Sequence, residues 1–244
     1  MRTLLAVAAL ALAACAHAQT PPASPDRTAT FVAPEALDLA RTLPRWPADD
    51  TLAGRADLET VRDLALFRTP DLAAEADADA PLGPVPWTAR IAGVAFSPET
   101  HPRTAALLVS VHDDMRAVNR AANAVHGWRE RPSVRDPSVK PSLSLGAQPT
   151  PAYPSARTAG ARVWAGVLCD LAPAQCPAFE VQAARTAWLR VIGGVHYPTD
   201  IAGGRIVGDA FLARLRTNPA YQAALADARG EWTASAMPQR SITP

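Results

Sequence analysis

The chain has 244 residues, enough for one large domain or two small ones with a buried core, and 48% of them are apolar against 19% charged. Its formal net charge of +1, with Lys140 the sole lysine, gives no basic excess pointing to nucleic acid and no acidic tail. Abundant alanine, 24 prolines and arginine in place of lysine read as a coding bias and say nothing of function.

Residues 1–18, MRTLLAVAALALAACAHA, have the form of an export signal: Arg2 supplies the positive start, Thr3 to Ala14 the apolar stretch, and Ala16-His17-Ala18 an A-x-A cleavage site. The apolar run is too short for a stable membrane anchor. Leu12 to Cys15, LAAC, also fits a bacterial lipoprotein signal, in which Cys15 carries lipid and becomes the new N-terminus. Soluble release after Ala18 is the preferred reading of the two. No later segment is long and apolar enough to span a bilayer, so any membrane attachment would be a lipid anchor.

Residues 19–50 are rich in Pro, Thr and Ala and are expected to run over the surface, with one short helix near Pro34 to Thr42. Residues 51–244 are read as one helical domain. Leu58, Val61, Leu64 and Leu66 fall near one face of a helix. The next helix opens with Ser97 as cap and Pro98 at the first helical position. It repeats Leu108, Val111, Met115, Val118, Ala122 and Val125 at steps of three and four, and is expected to run to Arg131. A Pro- and Ser-rich loop follows, from Pro132 to Pro154. Helical patterns resume at SARTAGARVWAGVLCDL, EVQAARTAWLRVI and TDIAGGRIVGDAFLARLRT. Strand alternation is scarce, so the fold class is all-α, a single helical bundle. Cys169 and Cys176 flank DLAPAQ; a local disulfide is expected in an oxidising compartment, with two separate buried thiols as the alternative.

The stretch WLRVIGGVHYPTD carries the chemistry. Gly193-Gly194 end one helix and Pro198 suits the first turn of the next. His196 then sits just ahead of a helix N-terminus, where backbone N–H groups favour an anion. Asp200, four residues on, can reach one ring nitrogen and leave the other as nucleophile or base. Arg190 is near enough to clamp an anion. A capped turn with a surface ion pair is the plain alternative. Arg131-Pro132 at a helix end and Pro154-Ser155 at a helix start add two further elements suited to phosphate.

In this order and spacing the three elements resemble the signature of the class A bacterial acid phosphatases, K-x6-R-P, P-S-G-H and S-R-x5-H-x3-D. These belong to the type 2 phosphatidic acid phosphatase and vanadium haloperoxidase superfamily. Here the third element reads Leu189-Arg190, five residues, His196, three residues, Asp200; the second reads Pro154-Ser155-Ala156-Arg157; the first reads Ala124, six residues, Arg131-Pro132. The resemblance runs from about residue 55 to 215. It implies a helical domain of that superfamily's kind that hydrolyses phosphate monoesters without a metal or other cofactor. His196 would attack phosphorus to form a phosphohistidine, with Asp200 orienting the imidazole. Arg131 and Arg190 would hold the equatorial oxygens and Ser155 would add a hydrogen bond. The partner implied is a small phosphate monoester or inorganic phosphate.

Four positions depart from the pattern. The lysine is Ala124, and the histidine that protonates the leaving group is Arg157, which stays charged and adds only positive charge to the anion site. Ala156 stands for glycine where the backbone approaches phosphate, and Leu189 for serine. No neighbour replaces the lysine: on a helix ending at Arg131, Arg129 and His126 point away from the 124/131 face, and Arg120 lies a turn too early. His101 and His112 fall on the same helix, His112 as a satisfied polar contact. The first reading is an exported, periplasmic phosphatase of reduced or redirected activity. The second is a catalytically inactive phosphate- or phospholigand-binding protein on the same scaffold. Vanadate-dependent halide oxidation ranks below both, because it leans on the same missing lysine and histidine. Absent spanning helices set aside the membrane-embedded lipid phosphatases. No H-E-x-x-H or cysteine–histidine spacing points to a metal.

Overall fold

The computed structural model describes residues 29–91, 93–143 and 150–234. The expected export signal, its cleavage site and Cys15 lie outside the described residues. Among the described residues there are ten α-helices and no strand: α1 (Leu39–Thr42), α2 (Leu52–Phe67), α3 (Pro70–Asp79), α4 (Pro84–Ala89), α5 (Pro102–Val125), α6 (Pro132–Arg135), α7 (Ala156–Leu171), α8 (Cys176–Ile192), α9 (Pro198–Arg216) and α10 (Pro219–Ala234). None of them is long and apolar enough to cross a membrane.

Many of the prolines that looked like coding bias do structural work at helix starts. Pro70, Pro84, Pro102, Pro132 and Pro198 all occupy the first turn of a helix, where the missing N–H costs nothing and φ is already helical. Thr51, Thr69 and Ser155 accept the next free N–H groups as side-chain caps.

The centre of the bundle is α7, whose sequence ARTAGARVWAGVLCDL is small and apolar on nearly every side. It lies against α5, α8 and α9. A helix apolar over most of its surface has to be buried over most of it, and α7 is, with only Ala156 exposed and Arg157, Arg162, Cys169 and Asp170 partly so. Trp164 and Leu168 of α7 join Leu108, Val111 and Met115 of α5 and Phe211 of α9 in one core cluster. Each such side chain, fully removed from water, contributes about 1.5–3 kcal/mol. Gly204 lets α9 lie against the start of α7: a Cβ there would stand 2.5 Å from the Ser155 carbonyl oxygen. A smaller cluster of Val61, Val139, Ala187, Val191, Tyr197 and Ile201 underlies the α8–α9 turn. Cys169 and Cys176 are bonded, joining the end of α7 to the start of α8 across the turn at Pro173–Gln175.

Three local expectations are corrected. The long helix begins at Pro102, not Pro98, because Ser97 and Thr100 close a hydrogen-bonded turn of their own ahead of it. It ends at Val125, not Arg131, because Gly127 takes a positive φ of 81° that stops the helix. The segment near Pro34 to Thr42 is a 3₁₀ turn, Pro34–Ala36, followed by the single turn of α1. That N-terminal segment also does more than cross the surface. Val32 and Leu43 are buried in the main core, and the Asp114 carboxylate of α5 accepts the backbone N–H groups of Thr30, Phe31 and Val32.

Candidate active site

The α8–α9 connection presents His196. Gly194 at φ 76° reverses the chain, and the N–H groups of Gly194 and Val195 satisfy the last α8 carbonyls, at Val191 and Arg190. Tyr197 is then extended and Pro198 starts α9. The Asp200 carboxylate caps this start, accepting the Tyr197 N–H through Oδ2 at 2.8 Å. The same oxygen stands 3.2 Å from His196 Nδ1. His196 is 3% exposed.

Arg131 reaches the other ring nitrogen: its Nη1 lies 2.8 Å from His196 Nε2 and 2.9 Å from the Val195 carbonyl. Nε and Nη2 are held by Thr150, through its carbonyl and its hydroxyl. A guanidinium only donates, so Nε2 must offer its lone pair and Nδ1 must carry the proton given to Asp200. Burial first, then the charges of Arg131 and Arg190, holds the His196 imidazole well below its usual range. It is therefore neutral, with its nucleophilic lone pair on Nε2. Burial pushes Asp200 up to about 7 against the pull of Arg129.

Arg190, on the last turn of α8, is 7% exposed, and its Nε and Nη1 have no hydrogen-bond partner among the described residues. Burial, with Arg157 and Arg131 nearby, lowers it to about 10, so it remains a cation at neutral pH. Two unmade bonds on a buried cation are costly and call for an acceptor that the protein does not supply. A cavity of about 580 Å³ opens at this point, lined by His196, Arg131, Arg190, Ala156 and Arg157 among others. The arrangement presents one neutral imidazole lone pair and two guanidinium groups to a single hollow, on one side of which Asp77 also stands, and the two cations suit it to an oxyanion.

The remaining candidates are placed differently. Ser155 is fully buried; it accepts the Thr158 hydroxyl at 3.0 Å, and its N–H donates to the Asp200 carbonyl, so it ties α7 to α9 instead of lining the hollow. Arg157 does line the hollow, but its charge is offset. Nη2 is 3.1 Å from an Asp79 carboxylate oxygen and 2.6 Å from the Asp79 carbonyl, and Nη1 binds the Leu82 carbonyl. The side chain stacks 5.1 Å over Trp164. Ala124 is exposed on the outer side of α5 while its neighbour Asn123 lines the hollow, so a lysine at 124 would face solvent. His112 Nδ1 is buried without a partner among the described residues, not a satisfied contact. The described residues include one cluster with metal-ligand spacing, Cys169, Cys176 and Glu180, and its two sulfurs are already bonded to each other.

Three residues of the site were not foreseen: Arg129, Asp57 and Thr150. Arg129 Nη1 donates to Asp200 Oδ1 and Nη2 to Asp57 Oδ2 at 2.8 Å, with the guanidinium 4.0 Å over the Tyr197 ring. Past Gly127 the chain is no longer helical, so the helical period does not carry over to Arg129, which is buried between exposed Trp128 and Glu130. The signal was Gly127 itself, a helix stop five residues after Ala122.

Comparison with known proteins meets the motif reading. The non-specific acid phosphatase of Salmonella typhimurium (strain LT2) is 30% identical over 147 residues, 58% of this chain and 57% of that protein. The non-specific acid phosphatase of Salmonella typhi matches to the same extent. The chain thus spans little more than half the length of these curated relatives. No protein-family model matches it. A crystal structure of the first transmembrane PAP2 type phosphatidylglycerolphosphate phosphatase from Bacillus subtilis overlaps with a TM-score of 0.46 and 20% identity, over 73% of this chain and 89% of that one. An overlap this loose carries no argument. The acid phosphatases are what the sequence is similar to.

Proposed function

We propose that the protein is a phosphoric monoester hydrolase in which His196 is the nucleophile. The observation that carries this reading is the neutral, buried imidazole with Asp200 on Nδ1 and its Nε2 facing a hollow where Arg190 has two unmade hydrogen bonds. A phosphoryl group entering the hollow gives Arg190 the acceptors it lacks and draws Arg131 from Nε2 onto its own oxygens. Nε2 then forms a bond to phosphorus as the ester P–O bond breaks, and the electron pair leaves with the alcohol oxygen. Asp200 stabilises the positive charge that develops on the ring. Water cleaves the N–P bond to release phosphate and restore the imidazole. The two guanidinium groups carry the negative charge of the equatorial oxygens throughout.

The departing oxygen is the weak point. The residue at the general-acid position, Arg157, is a cation locked to Asp79. With no proton supplied there, leaving groups that are already stable as anions react best, and alkyl phosphates lose about 100- to 10,000-fold. That makes the activity redirected toward acidic leaving groups. An inactive phosphate binder is the second reading, favoured by the same Arg157–Asp79 pair. The N-terminal stretch with the form of an export signal, and its LAAC segment, support a location outside the cytoplasm, soluble or lipid-anchored, with a small phosphate ester as partner.

An aryl-phosphate assay with alkaline quench, which preserves an N–P bond, separates the two. Turnover that disappears in His196→Ala, with an acid-labile phosphoenzyme in the wild type, is expected. Phosphate binding without turnover establishes the binder.

A further inference from the structure

Arg129 does not line the hollow, yet it is the least exposed arginine among the described residues. It is 4% exposed, and each Nη is committed to a different buried carboxylate, Asp200 of α9 and Asp57 of α2. Asp57 is held in turn by Thr199, whose N–H donates to Oδ1 at 3.1 Å and whose hydroxyl donates to Oδ2. Arg129 Nη1 also donates to the Thr199 hydroxyl at 2.8 Å. Asp200 therefore has one oxygen for Arg129 and the other for His196 Nδ1 and the Tyr197 N–H.

We infer that Arg129, braced by Asp57, is the positioning residue of the His196–Asp200 pair: it fixes which carboxylate oxygen faces Nδ1 and sets the charge beside the ring, a role that rests on the histidine-nucleophile reading above. Rotation of the Asp200 carboxylate would break the Arg129 bond and the Nδ1 bond together. Two carboxylates share one guanidinium, so one negative charge is left over next to the imidazole. That residual charge is what stabilises the ring as Nε2 gains a bond to phosphorus. Removing Arg129 leaves two facing buried carboxylates and makes the pair bind protons more tightly. Removing the Asp57 charge leaves a neutral Arg129–Asp200 pair, and the ring binds protons more weakly. The titratable and charged groups facing the pair are Asp57, Arg129, Arg131, Tyr153, Arg190 and Tyr197. Arg129 holds Asp200 from the side away from the hollow, and Asp57 stands behind Arg129.

The test uses the full chain with ¹⁵N-labelled histidine, titrated by NMR, alongside the pH–rate profile with p-nitrophenyl phosphate. Wild type should show His196 as the Nδ1–H tautomer. Arg129→Gln should move proton uptake at His196 and the acid limb of the rate profile to higher pH by about one unit or more, and Asp57→Asn should move both to lower pH. Catalytic rate should fall about 100-fold in Arg129→Gln, with Arg129→Lys recovering most of the limb position and part of the rate. Folded variants in which His196 keeps its tautomer and titration, or shifts the same way in both, would overturn the role. Should Arg129→Gln not fold, Asp57→Asn decides alone: a downward shift supports the role, an unchanged or upward one removes it. A wild type without turnover would remove the nucleophile reading, while the NMR titration would still decide on Arg129.

Discussion

Arg131 donates from Nη1 to His196 Nε2 at 2.8 Å, so the lone pair proposed to attack phosphorus is covered by the cation proposed to bind the phosphate. Thr150 and the Val195 carbonyl hold the rest of that guanidinium. Moving Arg131 onto phosphate oxygens therefore uncovers the nucleophile in the same step. Arg131→Gln should lower kcat/KM for an aryl phosphate by about 100- to 1,000-fold, the usual loss for one donor at a developing oxyanion. A chemical readout checks the covering itself. Diethyl pyrocarbonate should modify His196 faster in Arg131→Gln than in wild type, as followed by mass spectrometry.

The Arg157–Asp79 pair stands where the proposed mechanism would need a proton for the leaving group. Both side chains are largely buried, and Asp79 also accepts the Thr186 hydroxyl, which in turn accepts from the Trp87 indole N–H. Arg157→Ala leaves that carboxylate unpaired and should cost about 3–5 kcal/mol, read as a lowered Tm. Restoring a histidine is gentler, because an imidazolium can still pair with Asp79. Arg157→His should raise activity on alkyl phosphates relative to aryl phosphates, and Arg157→His with Asp79→Asn should raise it further by freeing the ring. An unchanged alkyl-to-aryl ratio in both would mean that proton donation is not what limits the wild type.

Legibility followed the periodicity. The amphipathic repeat of α5, the small-residue run of α7 and the Gly-Gly break before His196 placed the bundle and the Arg190–His196–Asp200 cluster from residues alone. What failed failed at one point. Continuing the helical period past Gly127 rotated Arg129 to the wrong side, whereas outside the helix it lies behind the site, on Asp200 and Asp57. Asp57 and Thr150 were invisible for another reason. Each meets the site only through tertiary packing, and a lone Asp in α2 or a Thr in a Pro-rich loop has no sequence pattern tying it to residue 129 or 131. Similarly, no local rule tells that Arg157 will turn to Asp79, 78 residues earlier.

The dependence on pH follows from Asp200. Buried, it is pushed up to about 7, whereas His196 is held well below its usual range. The form required for attack has an ionised Asp200 and a neutral His196. As pH falls, the carboxylate takes up its proton first, so it sets the acid limb. The rate constant for the free enzyme, kcat/KM, should therefore fall below about pH 7 while His196 is still uncharged. Asp200→Asn should abolish that limb together with most of the rate, and a pH series with one aryl phosphate shows both.

The last expectation concerns geometry and not charge. Gly204 allows α9 to lie on the start of α7, where Ser155 donates its N–H to the Asp200 carbonyl at 3.0 Å. An added Cβ would stand 2.5 Å from the Ser155 carbonyl oxygen, a backbone atom that cannot swing aside. Gly204→Ala must push the helix starts apart, at about 1–3 kcal/mol for overpacking, and carries Asp200 and His196 away from Arg131. Gly230 in α10 offers the contrast, since an added Cβ there meets nothing within 4 Å. Gly230→Ala should stabilise the helix by about 0.5–1 kcal/mol and leave activity unchanged. Thermal melts should move in opposite directions for the two variants, and the aryl-phosphate rate should fall only in Gly204→Ala. A Gly204→Ala protein with wild-type rate would mean that the α7–α9 contact does not hold the pair in place.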